Sequence, residues 1–247
     1  MGTAVRTSSF LVKVKSRDEV AERTLAVRLE KPQGFTFKPG QYVDVTLTDP
    51  PETDPEGNTR SFSLAGAPHE DSLMVATRLR DTAFKRALTR IPLNSEVKLE
   101  GPFGNLTLHN NVERPAVLLA GGIGITPFRS MVFRAAKEKL GHRIFLFYSN
   151  RRPEDAPFLS ELQTLEKQNR NYRFIGTMTA MEKSSNSWKG ERGPIDGNML
   201  SKFLGDASRN AIYYIAGPPA MVTALHTLLQ GIGVNDDDVR TEEFAGY

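Results

Sequence analysis

Two stretches of this chain combine residue types and spacing that could do chemistry. The first is Gly121, Gly122 and Gly124, which follow the wholly apolar run 116–120 and precede Thr126, Pro127 and Phe128. A short apolar run reads as a strand buried on both faces, and the glycines after it give a turn without side chains. Pro127 then suits the first turn of a helix, where a missing N–H costs little. Such a start lets a phosphate reach bare backbone donors at the positive end of a helix dipole, so the expected ligand is a nucleotide. The spacing Gly122-x-Gly124-x-x-Pro127 falls short of a three-glycine fingerprint, and taken alone it also suits a tight turn that holds nothing. The second stretch is 81–90, whose Asp81 and Thr82 are cap-type residues; its helix start is another potential phosphate site.

Composition removes several other chemistries. The 247 residues include no cysteine, which excludes disulfides, thiolate nucleophiles and any cysteine-held zinc or iron–sulfur cluster in this sequence. His69, His109, His142 and His226 lie far apart without ligand-like spacing, so no metal site is expected. A net charge of +3, with no basic stretch laced with aromatics, argues against nucleic acid. There is no apolar run of membrane-spanning length, and 1–16 lacks the features of a signal peptide, so the expectation is a cytoplasmic protein.

These residues must be held by two kinds of scaffold. Up to about residue 100 the pattern is of short alternating runs: 10–16, 24–30, 42–47, 61–65, 72–78 and 95–100 read as six antiparallel strands of a small barrel. The helix at 81–90 interrupts them, and the proline- and acid-rich stretch 49–58 reads as an exposed loop. Beyond residue 112 apolar strands alternate with amphipathic helices: strands at 116–120, 143–148, 172–178 and 211–216, helices at 128–140, 157–167, 198–204 and 218–230. That alternation predicts an α/β doubly wound parallel sheet. The expected organisation is a barrel domain over 1–112 and a nucleotide-binding domain over 113–247, with the ligands in the cleft between them.

Five motifs, in order along nearly the whole chain, resemble those of the plant-type ferredoxin–NADP reductase family, which includes cytochrome b5 reductase and the reductase domains of flavohaemoglobins and dioxygenase systems. Arg60-Ser61-Phe62-Ser63 is similar to the family's Arg-x-Tyr-Ser; the resemblance implies Arg60 on the FAD pyrophosphate, Phe62 against the isoalloxazine and Ser63 near the flavin N5. The segment from Thr77, Arg78 and Leu79 to Leu88 resembles the strand and helix that cradle the FAD phosphates, with Arg78 and Thr82 as contacts. Gly101-Pro-Phe-Gly104 resembles a turn that shapes the cofactor site, and the glycine loop from Gly121 to Pro127 resembles the NAD(P) pyrophosphate loop, with Thr126 at the nicotinamide end. Ala216-Gly217-Pro218-Pro-Ala-Met221 is similar to the family's Cys-Gly-Pro-x-x-Met, with alanine replacing the cysteine. At the C-terminus the resemblance assigns Glu242 as the carboxylate, and either Phe244 or Tyr247 as the aromatic that covers the flavin.

The resemblance implies an FAD-dependent enzyme that takes hydride from NADH or NADPH and passes single electrons to a separate ferredoxin, flavodoxin or oxygenase component, since no iron–sulfur cluster can be held here. Arg78, Arg80, Lys85 and Arg86 are candidates for a collar that meets an acidic partner, or are simply solvated. Thr177-Met178-Thr179 lacks the Ser-Arg often found in NADPH-preferring members, which favours NADH, although Ser149-Asn150-Arg151-Arg152 offers cations for a 2′-phosphate. The competing readings are a reductase of free flavin or ferric chelates, and a non-catalytic module that senses redox state by holding flavin or nucleotide.

Overall fold

The structure is a computed structural model, and it describes residues 8–245. Tyr247 lies outside the described residues.

The first half folds into six antiparallel strands, β1 (Ser8–Ala21), β2 (Thr24–Glu30), β3 (Tyr42–Leu47), β4 (Thr59–Ser63), β5 (Ser72–Arg78) and β6 (Glu96–Phe103), with helix α1 (Ala83–Arg90) between the last two. Their order across the sheet is β4-β3-β6-β1-β2-β5, and its two ends meet where the amides of Ala65 and Gly66 donate to the Met74 carbonyl. Alternate residues, among them Val12, Val14, Leu25, Val43, Phe62, Leu73 and Leu99, fill the interior, and Phe84, Ala87 and Leu88 of α1 close it. Thr82 caps α1 by accepting from the Lys85 amide.

The second half is a parallel sheet of β7 (Ala116–Gly121), β8 (Ile144–Asn150), β9 (Tyr172–Met178), β10 (Glu191–Arg192), β11 (Ile212–Gly217) and β12 (Val239–Glu243), in the order β10-β9-β8-β7-β11-β12. Helices α2 (Ile125–Lys137) and α3 (Leu159–Leu165) cover one face, and α4 (Gly197–Leu204) and α5 (Pro219–Gly231) cover the other. Consecutive strand residues point to opposite faces, so Leu118 and Leu146 pack toward α2 and α3, while Val117, Leu119 and Phe147 pack toward α4 and α5. The face under α2 also takes in Ala26, Ala65, Met74, Ala76 and Leu106 from the barrel side, so a single apolar core joins the two halves.

That junction carries a buried polar lock. Arg129 of α2, only 4% exposed, donates to the Ala65 carbonyl and Glu70 on the barrel side and pairs with Glu161 of α3. Ser130 adds a 2.7 Å bond to the Gly66 carbonyl. Each buried charge is therefore met by opposite charge and hydrogen bonds, the condition under which burial is tolerated.

The structure departs from the sequence pattern at three places. β1 runs on to Ala21, past the expected strand 10–16, and turns at Glu22 and Arg23, the latter at φ 54, into a hairpin with β2. Helix α2 begins three residues before Phe128, because Gly124 is already helical (φ −60, ψ −3) at the end of a 3₁₀ turn. β10 and β12 were not expected: each lies at an edge of the sheet and is mostly polar, so no apolar run marks it.

Candidate functional site

The strongest local feature of the sheet is the turn after β7. Gly122 adopts φ 54, a left-handed backbone that glycine enters without a Cβ penalty, and its Cα faces open space apart from an Arg78 guanidinium nitrogen, 3.9 Å from where a Cβ would be. Gly124 needs to be glycine for a different reason. A Cβ there would sit 2.2 Å from the Ala216 carbonyl oxygen, so the turn can press against the end of β11 only without a side chain.

A cleft of about 680 Å³ opens on this turn, within the size range of ligand pockets. The sheet contributes Gly121, Gly122, Ser149, Asn150, Arg151, Thr179, Lys183, Pro218, Met221 and Phe244; the barrel contributes Glu22, Arg23, Arg78, Leu79 and Arg80. The cleft therefore lies at the C-terminal ends of parallel strands, where open α/β sheets bind ligands. Its charge is unbalanced. Of its carboxylates, Glu22 and Asp155 both pair with Arg152, whereas Arg23, Arg80, Arg151 and Lys183 make no ion pair among the described residues. Asn150 is 6% exposed, and both side-chain amide atoms lack a hydrogen-bond partner among the described residues. Buried polar groups are normally satisfied, so an orphaned donor and acceptor in a cleft wall suit a polar ligand. Cations, bare backbone and an unmatched amide together fit the phosphates and polar edges of dinucleotides.

At the inner end of the cleft, the C-terminal strand crosses the seam. β12 pairs with β11 so that Glu242 stands opposite Ala216, and the Phe244 amide donates to the Gly217 carbonyl at 2.9 Å. This brings Glu242 to Ser63 of β4, whose hydroxyl donates to the carboxylate at 2.7 Å. Burial holds the Glu242 carboxyl above the usual carboxylate range, with the Ser63 bond working against it. An acid that keeps its proton more readily, an exposed glycine turn and an aromatic side chain thus converge within one seam.

Other predicted site residues are placed elsewhere. Phe62 is 4% exposed and its ring packs in the barrel core, 5.9 Å from that of Phe84, so it presents no open face. Arg60 is spent within the barrel: it pairs with Asp54 and Glu56 at 2.8 and 2.9 Å, donates to the carbonyls of Glu56, Gly57 and Thr59, and lies over the Phe84 ring. Arg60 and Phe62, to which the resemblance assigned the roles of pyrophosphate clamp and stacking platform, are engaged within the barrel in this arrangement. The physical reason is the acidic loop 52–56, which folds onto α1 and satisfies the guanidinium. Ser61 donates to Asp44 on the outer face of the barrel, and Thr77 is buried with its hydroxyl on the Arg78 carbonyl. Thr82 serves as a helix cap, and the Thr126 hydroxyl donates to the Ile123 carbonyl. Gly101 and Gly104 shape the turn beside Tyr42, and Pro127 lies buried in the first turn of α2. Gly217 packs its Cα against Gly121. Arg78 does reach the cleft, where it bridges the halves by donating to Glu22, Thr24 and the Asp155 carbonyl. Sequence reasoning missed Glu22, Arg23, Asp155 and Lys183, which sit on turns whose only signal is polarity. Among the described residues no cluster suits a metal ion, and no helix is long and apolar enough to cross a membrane.

A barrel and a doubly wound sheet that share a glycine-lined, cation-rich cleft have the build of a nucleotide-binding protein. Residues 118–227 match the oxidoreductase NAD-binding domain family. Over 97% of its length the chain is 29% identical to the reductase component of propane 2-monooxygenase from Mycolicibacterium smegmatis, of which it spans 67%. It is 27% identical to reductase component 2 of terephthalate 1,2-dioxygenase from a Comamonas species, over 96% of this chain and 68% of that one. Among solved structures, the flavohaem-like FAD/NAD-binding domain of nitric oxide dioxygenase from Vibrio cholerae superposes with a TM-score of 0.81 at 20% identity, covering 95% of this chain and 98% of that one. A ferredoxin NADP⁺ reductase from Neisseria gonorrhoeae with bound FAD and NADP gives 0.76 at 20% identity, with 95% and 98% covered. The chain shares the fold of these reductases, and its residues 118–227 are similar to the oxidoreductase NAD-binding domain.

Proposed function

We propose that this chain is the reductase of a two-protein electron-transfer system: it takes reducing equivalents from NAD(P)H through FAD and hands them to a separate acceptor of the ferredoxin or oxygenase-component class. The reading rests above all on the Ser63–Glu242 bond across the seam, next to a cleft that Phe244 lines. Bound FAD would supply the chemistry, accepting a hydride from the nicotinamide and releasing electrons singly.

The protein's own part is binding and alignment. Gly121, Gly122 and Gly124 offer backbone to a pyrophosphate, and Arg23, Arg78, Arg80, Arg151 and Lys183 offset its charge. Asn150 offers its free amide to a polar edge. Glu242, whose carboxyl burial holds above the usual range, accepts from Ser63 at the seam, and Phe244 shields the same end of the cleft from water. Pro218 and Met221 line the same cleft, and packing around Ala216, where the family's motif has a cysteine, sets distance and angle for transfer. The domains are taken as 1–112 and 113–247, with the C-terminal strand returning to the barrel. The reductase components named among the relatives support a protein acceptor, and with no cysteine in the 247 residues any iron–sulfur centre lies outside this sequence.

The test is to load the protein with FAD, remove the excess, and add NADH and then NADPH without oxygen while following flavin absorbance. Bleaching of retained flavin is expected, with NADH the faster donor. Retained flavin that neither nucleotide bleaches would favour a holding module, and flavin turned over only when free would favour a small-molecule reductase. Protein that takes up no flavin would overturn the proposal.

A further inference from the structure

The sheet has a second polar chamber, at the edge opposite the nucleotide cleft. It measures about 350 Å³ and lies where four segments meet: the barrel turn at Lys38 and Pro39, linker residues 107–110, α2 and its C-terminal end through Met131, Arg134 and Leu140, and Arg240 near the start of β12. The cleft is built on the C-terminal ends of β7 and β8, whereas Arg240 and the end of α2 belong to the other edge.

Its charged lining has one sign. Lys38, Arg134 and Arg240 face the chamber, and no carboxylate lines it. The Lys38 ammonium has no hydrogen bond or ion pair among the described residues. Arg134 spends only Nε, on Glu138, which lies outside the lining and leaves both Nη groups. Arg240 spends only Nη1, on the Thr107 carbonyl at 2.6 Å and the Tyr214 hydroxyl at 3.3 Å. The remaining polar wall is Thr107, Asn110 and His109, the last neutral by its bonding. Nε2 faces the Arg114 carbonyl and must donate, so Nδ1 accepts from the Tyr214 hydroxyl at 2.8 Å. Burial, with His142 and Arg240 nearby, also holds this imidazole below its usual range. Three cations from separate segments thus converge on a polar space where nothing on the wall balances them.

We propose that this chamber is an anion site in its own right, taking a compact oxyanion with two or more negative charges: inorganic phosphate, pyrophosphate or the phosphate end of an ester. Free guanidinium N–H groups and an ammonium are the donors that bind such oxygens best, and an anion relieves the repulsion among them. The occupant would tie the barrel, the linker and α2 to β12, the strand that carries Glu242 to Ser63 and continues into Phe244.

Calorimetric titration of inorganic pyrophosphate tests this at fixed ionic strength, with the cleft already saturated by FAD and NAD⁺. One site is expected, and it should weaken roughly tenfold or more in the double variant Lys38→Gln/Arg134→Gln, the loss expected for two charge-assisted contacts. NAD⁺ affinity should be unchanged in that variant. A parallel titration with phenyl phosphate identifies the source: tighter binding than pyrophosphate points to an ester. If pyrophosphate does not bind, or binds both proteins equally, the proposal is overturned. It stands apart from the flavin reading: were the chain to take up no flavin, the same two proteins titrated without cofactors would still show whether the double variant loses a site.

Discussion

Two regions of the molecule were expected to hold phosphate, and they are built on opposite plans. Around Arg60 both terminal nitrogens are taken: two carboxylates and three carbonyls bind them, and the guanidinium lies over the Phe84 ring. Around the cleft the balance is reversed, with Arg23, Arg80, Arg151 and Lys183 lacking carboxylates and the Asn150 side-chain amide lacking a partner among the described residues. Saturated polar groups build structure, and unsaturated ones await a ligand. The same residue type, arginine, therefore reads as scaffold in one place and as recognition in the other, and its neighbours decide which.

The buried lock at Arg129 should give the largest effect, because it is the most saturated cation of all. Arg129→Ala leaves Glu70 and Glu161 facing each other without their shared counter-charge, and should cost about 3–5 kcal/mol in urea unfolding. An effect under 1 kcal/mol would show that saturation does not measure structural weight here. The glycine turn comes next. Gly124→Ala drives a Cβ into the backbone at Ala216 and should destabilise by about 1–3 kcal/mol and weaken NAD⁺ binding. Gly121→Ala meets the Met221 sulfur instead, a flexible neighbour that can move, so its stability loss should be the smaller of the two. Equal losses in thermal unfolding would mean that close backbone approach is not what this turn requires.

The fold was legible in the sequence because its signals are apolar and periodic. The all-buried run of β7 and the alternating barrel strands follow directly from where their side chains point. The glycine turn was legible for the same reason, since missing side chains are as visible in a sequence as apolar ones. Residues whose role depends on long-range pairing were not. Nothing near Arg60 says that the acids six and four residues before it will fold back onto its side chain, and Phe62 looks equally suited to a core or a platform until Phe84 arrives from α1. β12 escaped because an edge strand of polar residues carries no hydrophobic period, although it brings the acid across the seam.

The smaller effects turn on two carboxylates whose surroundings pull in opposite directions. Glu242 is held above the usual range by burial, so the folded state retains its proton more tightly than the unfolded chain does. That contribution is complete below the ordinary carboxylate pKa and is lost as pH rises through the elevated one. Glu242→Gln, which cannot ionise, should match the wild type near pH 4 and become progressively more stable relative to it toward pH 7. A stability difference that stays flat across denaturation curves from pH 4 to 7 would remove burial as the cause.

Asp54 has the reverse sign. Its bond to Arg60 holds the carboxyl below the usual range, so its contribution is present above the ordinary pKa and fades as pH falls through the lowered one. Asp54→Asn should therefore be less stable than wild type at pH 7, with the deficit shrinking in acid. This is the smallest effect, since the pair lies near solvent and Glu56 remains to hold Arg60. The same variant also probes the contrast between the two plans directly. Removing one of its two carboxylates leaves the Arg60 guanidinium partly unsatisfied, and if unsaturation is what makes a cation available to ligands, pyrophosphate should bind the variant more tightly than the parent when measured by calorimetry. Unchanged affinity would mean that Arg60 is kept from the cleft by its direction and packing under Phe84, and that its carboxylates only complete a position the barrel had already fixed.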